Sequence, residues 1–170
     1  EAELRDQGVR PGDRVTLMLP NCIELALLWF ALAKLGAVAA PVNTMFRGAA
    51  LASAVNLVES RLAIVHATLH APWAQVQGEL ETAHSVFVLG SDGPLPDGCA
   101  PFALVRGVEP SAANLPRPEV AFDALCLLLY TSGTTSLAKG VLSTHGAVCQ
   151  ALVALEFQGA FCALSSPERI

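Results

Sequence analysis

Short apolar runs alternate with longer segments of mixed composition along the first ninety residues of the chain. The runs contain few polar interruptions, which predicts strands that are buried on both faces. Four such strands are predicted, at Arg14–Leu19, Ala37–Val42, Leu62–Val65 and Val86–Leu89. Helices are predicted between them, at Cys22–Leu35 with Gly36 as its C-cap, at about Gly48–Ser60 and at about Pro72–Ala83. This β-α-β-α-β-α-β order predicts an α/β fold of the doubly wound class, with a mainly parallel sheet and helices on both faces.

The composition changes between residues 91 and 120. Glycine, proline, serine and aspartate cluster in Ser91–Gly98, and prolines return at Pro110, Pro116 and Pro118. This composition predicts a long surface connection with one short strand at Phe102–Val105. Regular structure is predicted to resume with a buried strand at Ala124–Tyr130. A polar loop follows that strand directly, and a helix is predicted from near Thr144 to about Phe157.

The bulk composition narrows the possible functions. With 170 residues and 53% hydrophobic content, the chain is large enough to bury its own core. Its formal net charge of −5 gives no general attraction for nucleic acid or anionic lipid, so a polyanion would need a local site. The most apolar stretch, Cys22–Val42, contains Glu24 and Lys34, which predicts a buried helix and strand rather than a membrane span. Five cysteines without metal-ligand spacing favour a soluble, cytoplasmic protein with reduced thiols.

The segment Tyr130–Val141, YTSGTTSLAKGV, contains the residues best suited to binding an anion. An apolar strand that ends in small residues leaves backbone N–H groups free to converge on a phosphate. Hydroxyl groups add donors at short reach, a lysine adds a positive charge, and Gly133 and Gly140 permit a tight backbone path. The predicted phosphate-binding residues are Thr131, Ser132, Gly133, Thr134, Thr135, Ser136 and Lys139.

This segment is not a Walker loop. A Walker loop has four residues after its first glycine and then Gly-Lys-Ser/Thr, whereas here five residues separate Gly133 from Lys139. The alternative interpretation is a serine- and threonine-rich turn with a surface lysine. Because five hydroxyl residues, two glycines and a lysine follow a buried strand, the phosphate-binding interpretation is favoured.

Other candidate residues give weaker signals. The histidines His66, His70 and His84 form no cluster with carboxylates, which favours packing or surface roles over metal binding. His145 follows the loop closely enough to line the same site, although it fits the start of a helix equally well. The cysteines nearest the loop have no identifiable activating partner, so a thiol nucleophile is not expected.

The loop segment resembles the phosphate-loop signature of the adenylate-forming superfamily, Tyr-Thr-Ser-Gly-Thr-Thr-Gly-x-Pro-Lys-Gly-Val. That superfamily includes acyl-CoA synthetases, luciferases and nonribosomal-peptide adenylation domains. Ser143–His145 is similar to the family's continuation, and Gly8–Asn43 is similar to its first βαβ unit almost throughout. Two positions differ, since Ser136 stands where the family usually has glycine and Ala138 where it has proline. The serine resembles the crotonobetaine/carnitine-CoA ligase branch, whereas alanine leaves the backbone freer than proline would.

The resemblance implies an amino-terminal fragment of an acyl-CoA synthetase, with all 170 residues in one partial domain. Within it, residues 1–90 would be rich in βαβ units, 91–120 would be a loop-rich connection, and 121–170 would carry the strand, phosphate loop and helix. The resemblance also implies that Thr131–Thr135 and Lys139 bind the β- and γ-phosphates of ATP, with Mg²⁺ bridging the phosphates. A carboxylic acid would then be activated as an acyl-adenylate and transferred to CoA.

The family's later elements are expected beyond Ile170, namely the magnesium-binding glutamate, the ribose-binding aspartate, the hinge and the carboxyl-terminal domain with its catalytic lysine. No catalytic residue is therefore predicted within this chain, and the chain alone is expected to show no ligase turnover and to expose apolar surface that favours association. Two alternatives stay open, which are an inactive nucleotide-binding remnant and part of a nonribosomal-peptide adenylation domain. No nucleic-acid partner and no integral membrane segment are expected.

Overall fold

The fold is built on one β-sheet. The computed structural model describes residues 1–82, 85–104, 119–131 and 139–165, with side chains described up to residue 155. The strands within those residues are β1 (Arg14–Met18), β2 (Val38–Pro41), β3 (Leu62–His66), β4 (Ser85–Leu89), β5 (Cys99–Phe102), β6 (Leu125–Thr131) and β7 (Lys139–Thr144). They form a seven-stranded sheet in the order β5-β4-β3-β1-β2-β6-β7. All neighbouring pairs are parallel except β6 and β7, which are antiparallel.

Helices cover both faces of this sheet. They are α1 (Ala2–Asp6), α2 (Ile23–Lys34), α3 (Gly48–Val58), α4 (His70–Val76) and α5 (His145–Ser165). On one face, Leu28 and Leu32 of α2 pack with Leu17 in a buried apolar cluster. On the other face, a second cluster joins α3 and α4 to Met18, the residue after Leu17. Adjacent residues of β1 thus enter different cores, which explains why the strands are apolar on both faces. The predicted doubly wound α/β class is confirmed.

The strand β7 is the main difference from the sequence-based prediction. The polar loop after β6 was expected to lead directly into a helix, but Lys139–Thr144 first returns along β6 as an antiparallel strand. The apolar residues Val141 and Leu142 are about half exposed in this strand. Because they point to opposite faces and neither is buried, the segment has no amphipathic pattern that would have identified it as a strand.

The fourth helix is shorter than predicted because α3 holds the chain that follows it. A helix was expected at about Pro72–Ala83, but α4 ends at Val76 and is followed by a 3₁₀ turn at Gln77–Glu79. The Asn56 side chain donates to the Glu79 carbonyl and accepts from the Glu81 N–H, both at 3.0 Å. These two bonds use backbone groups that a continuing helix would have paired internally.

The edge strand β5 also lies earlier than predicted. A strand was expected at Phe102–Val105, whereas the structure has Cys99–Phe102, and Val105 lies outside the described residues. Pro101 sits inside this strand, which is compatible with its place at the edge of the sheet because an edge strand leaves some N–H groups unpaired. The C-cap of α2 is Leu35, one residue before the predicted Gly36, and Gly36 follows it with φ of +71° in the left-handed conformation that ends many helices.

None of the helices in the described parts of the chain combines the length and the hydropathy needed to cross a lipid bilayer.

Candidate functional site

The predicted phosphate loop connects the two antiparallel strands β6 and β7. Thr131 pairs with Lys139 at the end of this ladder, and Tyr130 pairs with Gly140. Because residues that pair directly across a ladder project to the same face, Thr131 and Lys139 lie side by side, and both are exposed. The structure therefore brings two of the predicted site residues together. The other five lie outside the described residues, and they are Ser132, Gly133, Thr134, Thr135 and Ser136.

Gly140 does not have the role expected from the sequence. It was expected to permit a tight backbone path beyond the lysine, but it lies within β7 and is not among the glycines with positive φ. A Cβ atom at this position would make only ordinary contacts with the Leu128 side chain, the nearest at 3.4 Å. Gly140 is thus a strand residue whose position does not require glycine.

The loop opens at the carboxyl edge of the parallel strands. Since β6 runs parallel to β2, Thr131 lies at the same edge as the connection from β2 to α3, which spans Val42–Arg47. Open α/β sheets bind their ligands at this edge, usually where the strand order reverses. Here the order reverses between β1 and β3, and β6 is two strands away from β1 on the other side. The candidate site is therefore at the expected edge of the sheet but is displaced from the strand-order reversal.

Tyr130 connects the start of the loop to α3. Its phenol O–H donates to the backbone carbonyl of Ala54 at 2.8 Å. Its ring also meets Phe46 edge-on, with centroids 6.4 Å apart and planes at 82°. Burial raises the pKa of the Tyr130 phenol far above its ordinary value, so the side chain is a neutral donor. Sequence reasoning missed this role, because Tyr130 and Ala54 are 76 positions apart and no local pattern links them.

Among the residues that the structure describes, few cations lie near the ends of the loop. Arg14, Lys34 and Arg61 belong to the amino edge of the sheet, with carboxylate oxygens at 2.9, 3.4 and 3.8 Å respectively. At the carboxyl edge, Arg47 donates to carbonyls of its own segment, and no ion pair to Lys139 occurs among the described residues. The positive charge at the candidate site is therefore that of Lys139, which agrees with the local site expected for a chain of net charge −5.

His145 does not lie beside the loop. Because β7 runs back from Lys139 to Thr144, its last residue pairs with Leu125 at the start of β6. Six strand residues span roughly 20 Å, so His145 lies at the opposite edge of the sheet from Thr131. Its backbone N–H donates to the Ala124 carbonyl at 2.9 Å, where it begins α5. The helix-start interpretation is correct, and the suggestion that His145 lines the site was wrong.

The described histidines and cysteines other than His145 show no arrangement for catalysis. His66 shares a hydrogen bond of 2.8 Å with the Thr68 hydroxyl, and His70 lies 3.5 Å from the Cys99 sulfur; His84 is outside the described residues. Burial raises the pKa of the Cys99 thiol, which disfavours a reactive thiolate. In the described parts of the chain, no three histidine, cysteine or acidic side chains form a group that could hold a metal ion.

Comparison with known proteins relates the chain to an enzyme family. A family model described as "AMP-binding enzyme" matches residues 2–166. A crotonobetaine/carnitine–CoA ligase of Salmonella paratyphi A is 34% identical over 139 residues, which are 81% of this chain and 27% of that enzyme. The chain thus spans about a quarter of the length of this relative.

Solved structures agree with this relationship. The acetoacetyl-CoA synthetase of Streptomyces lividans superimposes with a TM-score of 0.73 and 28% identity, over 86% of this chain and 24% of that one. The anthranilate CoA ligase AuaEII, solved with anthranoyl-AMP, has a TM-score of 0.70 and 25% identity over 84% of this chain and 27% of its own. The family match covers nearly every residue of the chain. This protein therefore belongs to the AMP-binding enzyme family and corresponds to an amino-terminal part of it.

Proposed function

We propose that this chain supplies the ATP-phosphate-binding part of an AMP-forming acid–thiol ligase. The observation that carries the proposal is the pairing of Thr131 with Lys139 at the carboxyl edge of the sheet, on either side of a loop rich in hydroxyls. The proposed ligands of the β- and γ-phosphates are Thr131, Ser132, Gly133, Thr134, Thr135, Ser136 and Lys139. All 170 residues would belong to one amino-terminal domain.

The available donors suit a triphosphate. Thr131 offers a hydroxyl and Lys139 an ammonium group, both exposed on the same face of the hairpin. Their chemical role would be to stabilise the negative charge that builds on pyrophosphate as a carboxylate attacks the α-phosphate. The acid would become an acyl-adenylate, and the thiol of CoA would then take the acyl group. Magnesium would be held mainly by phosphate oxygens and water, which is usual for Mg²⁺ in nucleotide sites.

We also propose that these 170 residues bind ATP without turning it over. The chain has only two lysines, Lys34 and Lys139. Lys34 ends α2 at the amino edge of the sheet and lies 3.4 Å from a Glu1 carboxylate oxygen, so it is far from the loop. Lys139 is assigned to the phosphates. Neither residue is left to act as the catalytic lysine that the family resemblance implies, and that lysine would have to come from elsewhere. A stoichiometric burst or turnover of pyrophosphate from the purified chain, with ATP, CoA and a panel of acids, would contradict this.

The substrate class is a carboxylic acid, and a small carnitine-like acid is the finer proposal. Ser136 and the 34% identity to a crotonobetaine/carnitine–CoA ligase support it. Thioesterification by the complete enzyme with a preference for long-chain or aromatic acids would exclude it. A reducing, cytoplasmic setting agrees with the free thiols of Cys22, Cys99, Cys126 and Cys149.

The phosphate-binding proposal is tested by measuring the affinity of the purified chain for MgATP by calorimetry. Lys139→Ala is expected to weaken binding about tenfold, the loss typical of a charge-assisted hydrogen bond. Lys34→Ala is the matched control, because it removes the other lysine at the opposite edge of the sheet and should leave the affinity unchanged. Equal affinities for wild type and Lys139→Ala, or no binding by the wild type, would overturn the proposal.

A further inference from the structure

The Tyr130 side chain connects the end of β6 to α3 and to the segment before it. It is the only tyrosine in the chain. The residue precedes Thr131 directly, and its side chain leaves the sheet on the face covered by α3. There its phenol reaches the Ala54 carbonyl at 2.8 Å, where Ala54 itself is fully buried. Because Ala54 is packed in the core, its carbonyl has little freedom to move, and the hydrogen bond to it restricts the position of Tyr130.

The second contact of Tyr130 is with the connection between β2 and α3, which has hydrogen bonds of its own. Phe46, which meets the tyrosine ring edge-on, belongs to the connection between β2 and α3. Within this connection, the Met45 N–H donates to the Asn43 side-chain oxygen at 2.9 Å, and the Phe46 N–H donates to the Asn43 carbonyl at 3.0 Å. These are the bonds of a compact turn, which limits the movement of Phe46. Tyr130 is therefore held from two directions.

These contacts lead to an inference that rests on the proposed function and extends it. We propose that Tyr130 is a positioning residue for phosphate binding, which fixes the start of the loop to α3 and to the β2–α3 connection through Ala54 and Phe46. Tyr130 does not touch the phosphates in this arrangement, because its side chain and that of Thr131 project to opposite faces of β6. It acts through Thr131, whose position on the strand follows from that of its neighbour.

The hydroxyl group is the part of the side chain that makes this assignment testable. Tyr130→Phe keeps the ring and its contact with Phe46, but it removes the bond to Ala54. The matched control is Ser60→Ala, which removes the buried 2.9 Å hydrogen bond between the Ser60 and Thr16 hydroxyls. Ser60 precedes β3 at the amino edge of the sheet, so its loss lowers stability without a change near the loop.

The experiment has two readouts on the purified wild-type chain and the two variants. The first is amide hydrogen exchange across residues 130–140 without nucleotide, and the second is the affinity for MgATP. Tyr130→Phe is expected to speed exchange at Thr131 and Lys139 and to weaken MgATP binding about fivefold, the effect of one ordinary hydrogen bond. Ser60→Ala is expected to leave the exchange rates and the affinity at the wild-type level, even if urea unfolding shows that it loses as much stability as Tyr130→Phe.

The outcomes separate this proposal from the proposed function. Unchanged exchange in Tyr130→Phe overturns the positioning role whether or not ATP binds. Faster exchange with unchanged affinity also overturns it, as does an equal loss of affinity in Ser60→Ala, because general stability would then explain the effect. If the wild-type chain binds no ATP, the proposed function fails, and the exchange data alone still decide whether Tyr130 fixes the loop start.

Discussion

Thr131 and Lys139 form the last paired residues of the β6–β7 ladder, so both ends of the predicted phosphate loop are attached to strands. Thr131 is the one hydroxyl residue of the predicted site whose position is described. Thr131→Val keeps the branched shape that suits a strand but removes the hydroxyl donor. We expect MgATP affinity to fall about fivefold, as for the loss of one hydrogen bond, with unchanged stability. Ser143→Ala, further along β7, is the control, and an equal loss of affinity there would contradict a specific role of Thr131.

The start of α5 depends on Gly146. Its N–H donates to the Phe122 carbonyl at 2.7 Å, and a Cβ atom there would lie 2.6 Å from two atoms of the Phe122 ring. We expect Gly146→Ala to lower the free energy of unfolding by about 1–3 kcal/mol, as overpacking does. Urea denaturation measures this loss. Gly78→Ala is the matched control, because nothing lies within 4 Å of its added Cβ, and it should be neutral or slightly stabilising.

The hydroxyls of Thr16 and Ser60 form a polar pair inside the core, with 0% and 2% of the two residues exposed. Thr16→Val and Ser60→Ala each leave one buried hydroxyl without its partner, so each should cost about 1–3 kcal/mol of stability. The double variant leaves neither hydroxyl and should be less destabilised than the sum of the single variants. A full set of urea unfolding curves measures this difference, and strict additivity would show that the bond contributes nothing.

Tyr130 should ionise only when the chain unfolds. Burial raises the pKa of its phenol above the unfolded value, so the protonated form is favoured in the folded state. The associated stability is complete below the unfolded pKa of about 10 and is lost as the pH rises beyond it. Since this is the sole tyrosine, the tyrosinate absorbance band reports it without ambiguity.

In an alkaline titration, that band should appear together with the loss of helical circular dichroism. Tyr130→Phe is the control for stability, because its unfolding free energy should fall less steeply above that pH. A tyrosinate signal that rises while the circular dichroism is still native would contradict the burial of the phenol.

One face of α2 is apolar and open to solvent. Ile23, Leu27 and Phe30 recur at helical spacing and are 65%, 47% and 53% exposed. We expect the purified chain to bind a hydrophobic dye and to self-associate, as large exposed apolar patches do. Leu27→Ser with Phe30→Ser should reduce both, measured by dye fluorescence and sedimentation. Leu57→Ser removes a similarly exposed leucine from α3 and should have less effect; equal effects would argue against an α2 surface.

The central strands were predictable because their signal is local. Arg14–Met18 and Leu62–His66 are short, largely apolar runs with turn residues beside them, and such runs are typical of buried parallel strands. The strand β7 had no such signal. Its residues Lys139 to Leu142 are exposed, and their extended conformation is set by pairing with β6.

The site was predictable only in its composition. The hydroxyls and Lys139 are proposed from residue types alone, since phosphate recognition needs donors and a cation. The positions of the residues around the loop could not be predicted, because the reversal into β7 places His145 at the opposite edge of the sheet. The anchoring of Tyr130 likewise depends on contacts with α3 and with Phe46, which only the folded chain brings near.

The attachment of the loop to two strands also has a consequence for how the loop sequence can evolve. Ladder pairs such as Thr131–Lys139 and Tyr130–Gly140 attach both ends of the loop to the sheet. We therefore expect substitutions in the loop, such as those at Ser136 and Ala138, to have little effect on folding. Cellular quality control degrades proteins according to their unfolded fraction. A copy whose loop had lost the proposed affinity for ATP would pass that control, so we expect selection on this segment to act through function rather than through folding.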